Sequence, residues 1–222
     1  MTKELEISGK YILKMKKLKF EILAEKQRKL FEILKKKKWI NNYYLAGGTG
    51  LALILGHRRS VDFDFFSAES FSNDILSERL VKIGNYTKLS EQKNTLYSMV
   101  DDVRISFLGY KYPLLEKPMI EGNMRIAGIK DIACMKLSAI VSRGNKKDFI
   151  DLFYILKEYS LEELMYFYSE KYEQHNYEYV LLKSLVYFAD AEEDPMPLMS
   201  EKTNWETIKK GLIYEVKKIK FV

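Results

Sequence analysis

Residues 43–66 of the chain read YYLAGGTGLALILGHRRSVDFDFF, and this stretch decides the fold. The apolar run from Tyr43 to Ala46 is interrupted by Gly47-Gly48. Thr49 to Leu55 then has the apolar pattern of a helix that Gly56 closes. Residues 61–66 alternate in polarity, as a half-buried strand does. The stretch therefore predicts a strand, a turn, a helix, a loop and a second strand.

The second predicted strand carries two carboxylates on one face. Asp62 and Asp64 point to one side of it, and the apolar residues between and beside them point to the other. Two like charges on a half-buried face repel each other and lose hydration, so we expect a cation between them. Mg²⁺ binds through one or two carboxylates together with water and phosphate oxygens. The pattern predicts a magnesium site on Asp62 and Asp64.

The glycine turn just upstream has the properties of a phosphate site. Gly47 and Gly48 allow close approach of a backbone, the helix that follows offers free N–H groups, and Thr49 adds a hydroxyl. Each motif alone has a simpler explanation, because such a turn can be merely tight and Asp-x-Asp can be a solvated strand edge. Their conjunction favours a nucleoside triphosphate bound next to the metal.

This arrangement resembles the nucleotidyltransferase superfamily of DNA polymerase beta, in which Asp-x-Asp follows a Gly-Gly/Ser turn. The longer sequence around these motifs, LAGGTGLAL followed by GHRRSVDFDFF, resembles the AbiEii/AbiGii toxins of bacterial abortive-infection and type IV toxin–antitoxin systems. The likeness continues through SFL (106–108), YPLL (112–115), DIACMK (131–136), RGNKKDFIDL (143–152) and DAEE (190–193) before PMP (195–197).

The resemblance implies a fold, a reaction and partners. It implies an α/β chain of the α+β kind, with N-terminal helices and a polymerase beta-like nucleotidyltransferase core over residues 1–127 and a helical bundle over residues 128–222. It also implies growth inhibition, a tRNA acceptor and a cognate antitoxin. From the residues themselves we predict strands at 86–90, 95–100 and 103–108, hence a small mixed sheet with helices against it.

A lysine lies inside an apolar helix stripe that runs from Ile129 to Val141. Lys136 there needs an anion, which could be Asp151 in a structural ion pair between neighbouring helices. The preferred interpretation is that Lys136 meets the triphosphate and that Asp151, with Asp148, orients it or the attacking hydroxyl. The resemblance favours this interpretation, because a lysine and an aspartate from these helices accompany its Asp-x-Asp. Arg143 and Lys146-Lys147 are either phosphate contacts or solvated loop residues.

A third carboxylate is missing from the place where the polymerase beta pattern has one. In the predicted strand at 103–108, Ser106 stands where we expect the acid. Either the site uses a single metal or a second metal loosely held through Asp101 or Asp102, or it is reshaped for binding without efficient turnover.

Positive charge is concentrated near the N-terminus. Residues 1–38 hold thirteen Lys or Arg and five Asp or Glu, whereas the whole chain has a net charge of +6. The basic residues of this segment either contact nucleic acid or form the solvent-exposed face of an amphipathic helix. The chain has one cysteine, the first residues lack a signal-peptide pattern, and no apolar run reaches the length of a membrane span. We expect a cytoplasmic protein without membrane contact.

These observations predict a Mg²⁺-dependent enzyme that transfers a nucleoside monophosphate from a triphosphate to an RNA 3′ end. Three alternatives remain open at this point. The acceptor could be a protein or a small molecule, the chain could bind nucleotide without turnover, or it could act as a kinase that moves the γ-phosphate instead.

Overall fold

The glycine turn at residues 47–48 begins a helix directly after a short strand in the computed structural model, which describes residues 17–174 and 177–219. Strand β1 is Tyr44–Leu45 and helix α2 is Gly47–Leu55. Helix α2 is apolar on almost every side, so it is buried between the sheet and later helices. Gly56 ends it with a φ of 67°, a left-handed conformation that favours glycine. The predicted strand and helix are confirmed, but Gly47 and Gly48 form the first residues of the helix and not a separate turn before it.

The remaining strands complete one mixed sheet. In the described residues they are β2 (Phe63–Ser67), β3 (Tyr86–Gln92), β4 (Thr95–Val100), β5 (Val103–Gly109), β6 (Met119–Glu121) and β7 (Met124–Ile126). Their spatial order is β3-β4-β5-β2-β1-β7-β6. The β2/β5 and β1/β7 pairs are parallel, and the other pairs are antiparallel. The predicted strands correspond to β3, β4 and β5, whereas β6 and β7 were not predicted.

Strand register places three polar side chains side by side. Asp64 of β2 pairs with Ser106 of β5, and Ser106 pairs with Tyr97 of β4. Directly paired residues point to the same face of a sheet. One row across three strands therefore carries Tyr97, Ser106 and Asp64.

Helices cover the sheet and form the C-terminal part of the chain. They are α1 (Glu25–Leu34), α3 (Asn73–Val81), α4 (Ile129–Ser142), α5 (Lys146–Ile155), α6 (Leu161–Tyr172), α7 (Glu178–Leu185) and α8 (Trp205–Lys218). Ser160 and Glu163 form a capping box at the start of α6. The cap of α8 is Asn204, whose side chain accepts the backbone N–H of Thr207, and the hydroxyl of the preceding Thr203 bonds to that of Tyr154 at 2.9 Å.

Helix α4 joins the two parts of the chain, because it contacts α2 on one side and α5, α6 and α7 on the others. One continuous hydrophobic cluster extends from Ile22 to Leu212. The predicted boundary after residue 127 falls in the turn between β7 and α4, and the division into two domains stays a prediction. The fold class, a mixed α/β chain with a C-terminal helical part, is confirmed.

The N-terminal basic segment is only partly described, since residues 1–16 lie outside the described ranges. After a 3-10 turn at Phe20–Ile22, α1 buries Leu30, Phe31 and Leu34 and exposes most of its charged side chains. From residue 17 to 174 and from 177 to 219, no helix combines the length and the apolar character that crossing a bilayer requires.

Candidate active site

Asp62 and Asp64 line a cavity of about 370 Å³ between the sheet and helix α4. Asp64 lies in β2, and Asp62 lies just before that strand begins. Both side chains are half-buried. The two carboxylates thus lie in one cavity, but Asp62 precedes the strand that was predicted to carry both.

Asp62 is held in an unfavourable environment for a charged carboxylate. Its burial, and then the neighbouring charge of Asp64, raise the pKa of Asp62 above its ordinary value, and the more distant Lys147 and Arg104 only partly oppose this. A bound cation would relieve both effects, because it would replace lost hydration and neutralise the repulsion.

Ser106 occupies the third position of the row and acts on Asp64. Its hydroxyl donates a hydrogen bond to Asp64 Oδ1 at 2.8 Å. The suggestion that Asp101 or Asp102 supplies a third carboxylate is wrong. Both residues lie in the turn between β4 and β5, and neither lines the cavity. Asp101 accepts the backbone N–H of Asn85, and Asp102 pairs with Lys26 of α1 at 2.6 Å.

The glycine turn is shaped around these groups. Gly47 has a φ of +59°, and a Cβ at this residue would lie 2.8 Å from Asp64 Oδ2. A Cβ at Gly48 would lie 2.7 Å from Arg58 Nη2 and 2.9 Å from Ser60 Oγ. Both glycines line the cavity at the start of α2, where the first N–H groups of a helix have no partner within the helix. The turn can therefore present backbone donors to an anion.

Thr49 does not contribute to the phosphate site as predicted. Its side chain is fully buried, does not line the cavity and donates its hydroxyl to the backbone carbonyl of Asp62. Because its proton is used in this bond, the Thr49 hydroxyl cannot donate to a phosphate. The bond instead connects the start of α2 to the backbone of Asp62.

Lys136 and Asp148 lie at the opposite wall of the cavity. The Lys136 ammonium contacts Asp148 Oδ1 at 2.8 Å and Asp151 Oδ2 at 2.6 Å. Burial alone would lower the pKa of Lys136, but the carboxylates of Asp151 and Asp148 outweigh it and hold the pKa above its ordinary value. Since an ammonium has three N–H donors, one remains for a ligand in the cavity. Asp148 also accepts from Arg143 Nε at 3.0 Å.

Asp151 is fully buried and does not line the cavity. Besides Lys136, it accepts hydrogen bonds from Arg58 Nε at 2.7 Å, Arg58 Nη2 at 2.8 Å and His57 Nε2 at 2.7 Å. Burial opposes ionisation of Asp151, but the charges of Lys136 and Arg58 hold its pKa far below the ordinary value. The structure thus contains the Lys136–Asp151 ion pair that was the alternative interpretation. Direct contact between Asp151 and a ligand is excluded by these partners.

Arg58 and His57 are the site residues that sequence reasoning missed. Arg58 lines the cavity and is buried, and the adjacent Arg59 is exposed. The available signal was the basic run at residues 57–59 immediately before the Asp-x-Asp strand. Of the basic loop residues that were considered, Arg143 and Lys147 line the cavity. Lys146 instead anchors the loop at Glu192 and Asp194.

The residues present fit a hard divalent cation. The carboxylates of Asp62 and Asp64 face the cavity, and a Cβ at Gly47 would collide with the Asp64 carboxylate. Carboxylate oxygens suit Mg²⁺, which takes water and phosphate oxygens as its further ligands. Across the part of the chain that the structure describes, no cluster of three or more His, Cys, Asp or Glu side chains is placed to hold a metal. Such an ion would therefore rest on Asp62, Asp64 and its substrate.

The chain is similar to one protein family over most of its length. It matches the family described as nucleotidyl transferase AbiEii toxin, type IV TA system, through residues 28–113 and 92–221. An uncharacterized protein of Aquifex aeolicus (strain VF5) is 40% identical over 178 residues, which cover 78% of this chain and 86% of the relative.

Two crystal structures from Helicobacter pylori are similar to the chain in fold. One, a candidate nucleotidyltransferase, aligns at a TM-score of 0.55 and 18% identity and covers 88% of this chain and 95% of its own. The other, JHP933, aligns at a TM-score of 0.52 and 18% identity and covers 88% and 92%. At this identity the likeness supports the fold alone.

Proposed function

The chain belongs to the AbiEii family of nucleotidyltransferase toxins from type IV toxin–antitoxin systems, and on that premise we propose which residues act and on what. The proposed reaction is Mg²⁺-dependent transfer of a nucleoside monophosphate from a nucleoside triphosphate to the 3′ end of an RNA, in particular tRNA. The observation that carries it is the meeting of Asp62, Asp64 and the glycine turn with several cationic side chains in one cavity.

The triphosphate is proposed to lie between the start of α2 and the wall formed by α4 and α5. Gly47 and Gly48 offer backbone N–H groups there. Arg143, directly after α4, and Lys147, in the first turn of α5, add positive charge. The third N–H of Lys136 donates to the outer phosphates and stabilises charge on the leaving pyrophosphate. Asp148 and Asp151 hold the Lys136 ammonium in place, so both are positioning residues in this proposal.

Asp62 and Asp64 are proposed to hold the divalent ion. When bound, the ion polarises the α-phosphate and lowers the pKa of the acceptor hydroxyl. Asp64 is oriented by the Ser106 hydroxyl, and Asp62 by the Thr49 bond to its own backbone. The two carboxylates thus meet the ion in a prearranged geometry, which costs little reorganisation.

Exposed cationic side chains near the cavity support an RNA acceptor. Arg59, Arg104, Arg143 and Lys147 are exposed near the cavity or within it, which suits a polyanionic acceptor. Membership of the family implies an antitoxin partner. A tRNA acceptor would place the reaction in the cytoplasm.

Labelling with total tRNA tests the proposal. Purified protein, Mg²⁺ and each α-labelled nucleoside triphosphate are combined in turn, and the RNA is separated from protein and small molecules. We expect label in RNA with the unaltered chain and a loss of at least about 100-fold with Asp64→Asn, since a metal ligand is removed. The matched control is Asp102→Asn, whose carboxylate lies on the surface at the far turn.

Each alternative gives a different result in the same assay. Label from the γ-position in place of the α-position would identify a kinase, and label in protein or in a small molecule would identify another acceptor. Nucleotide binding without pyrophosphate release would contradict the proposed reaction altogether.

A further inference from the structure

The cavity has two chemically different ends, and strand register separates them. The row that contains Asp64 and Ser106 forms the polar end. Two residues further along the same strands, Phe66 pairs with Leu108. Because residues i and i+2 of a strand point to one face, Phe66 and Leu108 lie on the same face about 7 Å beyond the carboxylate. Both line the cavity.

Aromatic residues from outside these strands complete the apolar end. Tyr110 packs edge-on against Phe66 with ring centroids 5.6 Å apart. Tyr172, at the end of α6, places its hydroxyl 2.5 Å from that of Tyr110. Met135 of α4 also lines this part of the cavity. None of these side chains carries a charge. Tyr110, Met135 and Tyr172 are partly exposed and Phe66 is 9% exposed, so together they form an apolar wall of the cavity that a ligand can reach.

Helix α4 spans both ends along one face. Met135, Ser138, Ala139, Ser142 and Arg143 all line the cavity, at spacings of three and four residues. Met135 and Ser142 are seven residues apart, about 10 Å along the axis, and Arg143 follows Ser142 as the C-terminal cap of the helix. A ligand that lies under this helix thus meets an apolar group at one end and a guanidinium at the other.

We propose that the apolar end, formed by Phe66, Leu108, Tyr110, Met135 and Tyr172, binds the nucleobase of the incoming nucleoside triphosphate. The inference rests on the proposed function, since it assumes that the triphosphate occupies the polar end. Bases stack on aromatic side chains through their flat faces, and pockets for such ligands are mostly apolar with a few polar groups. The cavity volume of about 370 Å³ falls within the range of small-molecule sites.

The hydroxyl pair gives this end a means to distinguish bases. When one tyrosine donates to the other, the second hydroxyl keeps its proton free to donate, and both oxygens retain acceptor capacity. Burial raises the pKa of both Tyr110 and Tyr172, so both remain protonated at neutral pH. The pair can therefore donate to, or accept from, the edge of a base.

A base could also come from the 3′-terminal nucleotide of the acceptor RNA. We assign the apolar end to the triphosphate because it is continuous with the polar end within one cavity. The two sources predict different measurements, since only one of them involves the RNA.

Equilibrium binding with Mg²⁺ separates the base from the phosphates. The probes are the four nucleoside triphosphates and inorganic tripolyphosphate, and the variants are Tyr172→Leu and Tyr172→Phe. We expect Tyr172→Leu to weaken nucleotide binding about tenfold and leave tripolyphosphate binding unchanged. We expect Tyr172→Phe to change the preference among the four nucleotides about fivefold. The control is Tyr112→Phe, whose ring contacts Tyr172 at 4.7 Å but does not line the cavity.

The outcomes distinguish this inference from the proposed function. Equal weakening of nucleotide and tripolyphosphate binding by Tyr172→Leu would overturn the base site, even if the unaltered chain transfers nucleotides. If Tyr172→Leu changed the KM for the RNA acceptor and left nucleotide affinity unchanged, the apolar end would belong to the acceptor. That result would also overturn the proposed base site. Absence of tripolyphosphate binding and of transfer in the unaltered chain would instead contradict the proposed function. Thermal melting of each variant confirms that it is folded.

Discussion

At the scale of single residues, the two carboxylates of the site are not equivalent. Asp64 receives a hydroxyl hydrogen bond from Ser106, whereas Asp62 is desolvated and faces a second negative charge. An acid whose pKa is raised by folding binds its proton more tightly in the folded state. Its ionisation therefore costs stability as the pH rises through that pKa. At neutral pH, Asp62 destabilises the metal-free fold.

The substitution Asp62→Asn should therefore stabilise the metal-free protein. We expect its melting temperature at pH 7 in EDTA to rise by about one or two degrees, a gain of less than about 1 kcal/mol because the group is partly solvated. The gain should shrink as the pH falls toward 4. Saturating Mg²⁺ should then stabilise the unaltered chain more than the variant, since the ion binds the folded state through this carboxylate.

The control for this measurement is Asp102→Asn, which removes an exposed carboxylate paired with Lys26. A gain for Asp62→Asn that is the same with and without Mg²⁺ would show that Asp62 does not bind the ion.

At the scale of elements, the junction of the glycine turn with α2 depends on two separate properties of Gly47. Its positive φ requires glycine for backbone reasons, and the missing Cβ makes room for Asp64 Oδ2. Gly144, in the loop between α4 and α5, has a similar φ of +55°, but a Cβ there would meet its nearest atom only at 3.6 Å. The two glycines share the left-handed backbone conformation and differ in the contact with a carboxylate.

The matched pair Gly47→Ala and Gly144→Ala should separate these properties. Both should lose about 1–2 kcal/mol of unfolding free energy, because a left-handed conformation is unfavourable for alanine. Only Gly47→Ala should also lose divalent-ion affinity, by about tenfold or more, as its Cβ displaces the carboxylate. Chemical unfolding and Mn²⁺ titration measure the two quantities. Equal metal affinity in both variants would contradict a role for Gly47 in shaping the site.

At the scale of the whole molecule, a buried network of charges joins distant segments. Asp151 of α5 binds Lys136 of α4 and the side chains of His57 and Arg58 in the loop before β2. That loop is also paired with residues 198–200, where Arg59 N–H donates to Leu198 O at 2.8 Å. The C-terminal part of the chain thus fixes the loop that precedes the metal-binding strand.

The substitution Asp151→Asn should destabilise the protein by about 3–5 kcal/mol, because it leaves buried cations without a full counter-charge. Urea unfolding measures the loss, and the exposed Asp102→Asn should change stability by less than about 1 kcal/mol. Adding Lys136→Met to Asp151→Asn should cost less than the sum of the two single changes, since the residues share one network. Strict additivity would show that the ion pair contributes no coupling.

The sequence by itself determined the local elements of the site and their order. Period-two alternation indicated the strand that carries Asp64, the glycines marked the start of α2, and β3 to β5 followed from strand patterns and turn residues. These features depend on near neighbours in the chain, so a single sequence expresses them. The resemblance of its motifs to a known family then indicated the class of enzyme, and the family match over residues 28–221 supports that class.

Only the tertiary structure decided which side chains share the site. Ser106 reaches Asp64 through strand register, Arg58 and His57 meet Asp151 across more than ninety residues, and Thr49 turns its hydroxyl to a backbone carbonyl instead of a ligand. Asp101 and Asp102 are close to the site in sequence, but they lie in the turn between β4 and β5 and contact Asn85 and Lys26. Contacts between distant segments depend on how strands pair and helices pack, and side-chain pattern along one chain carries no record of that geometry.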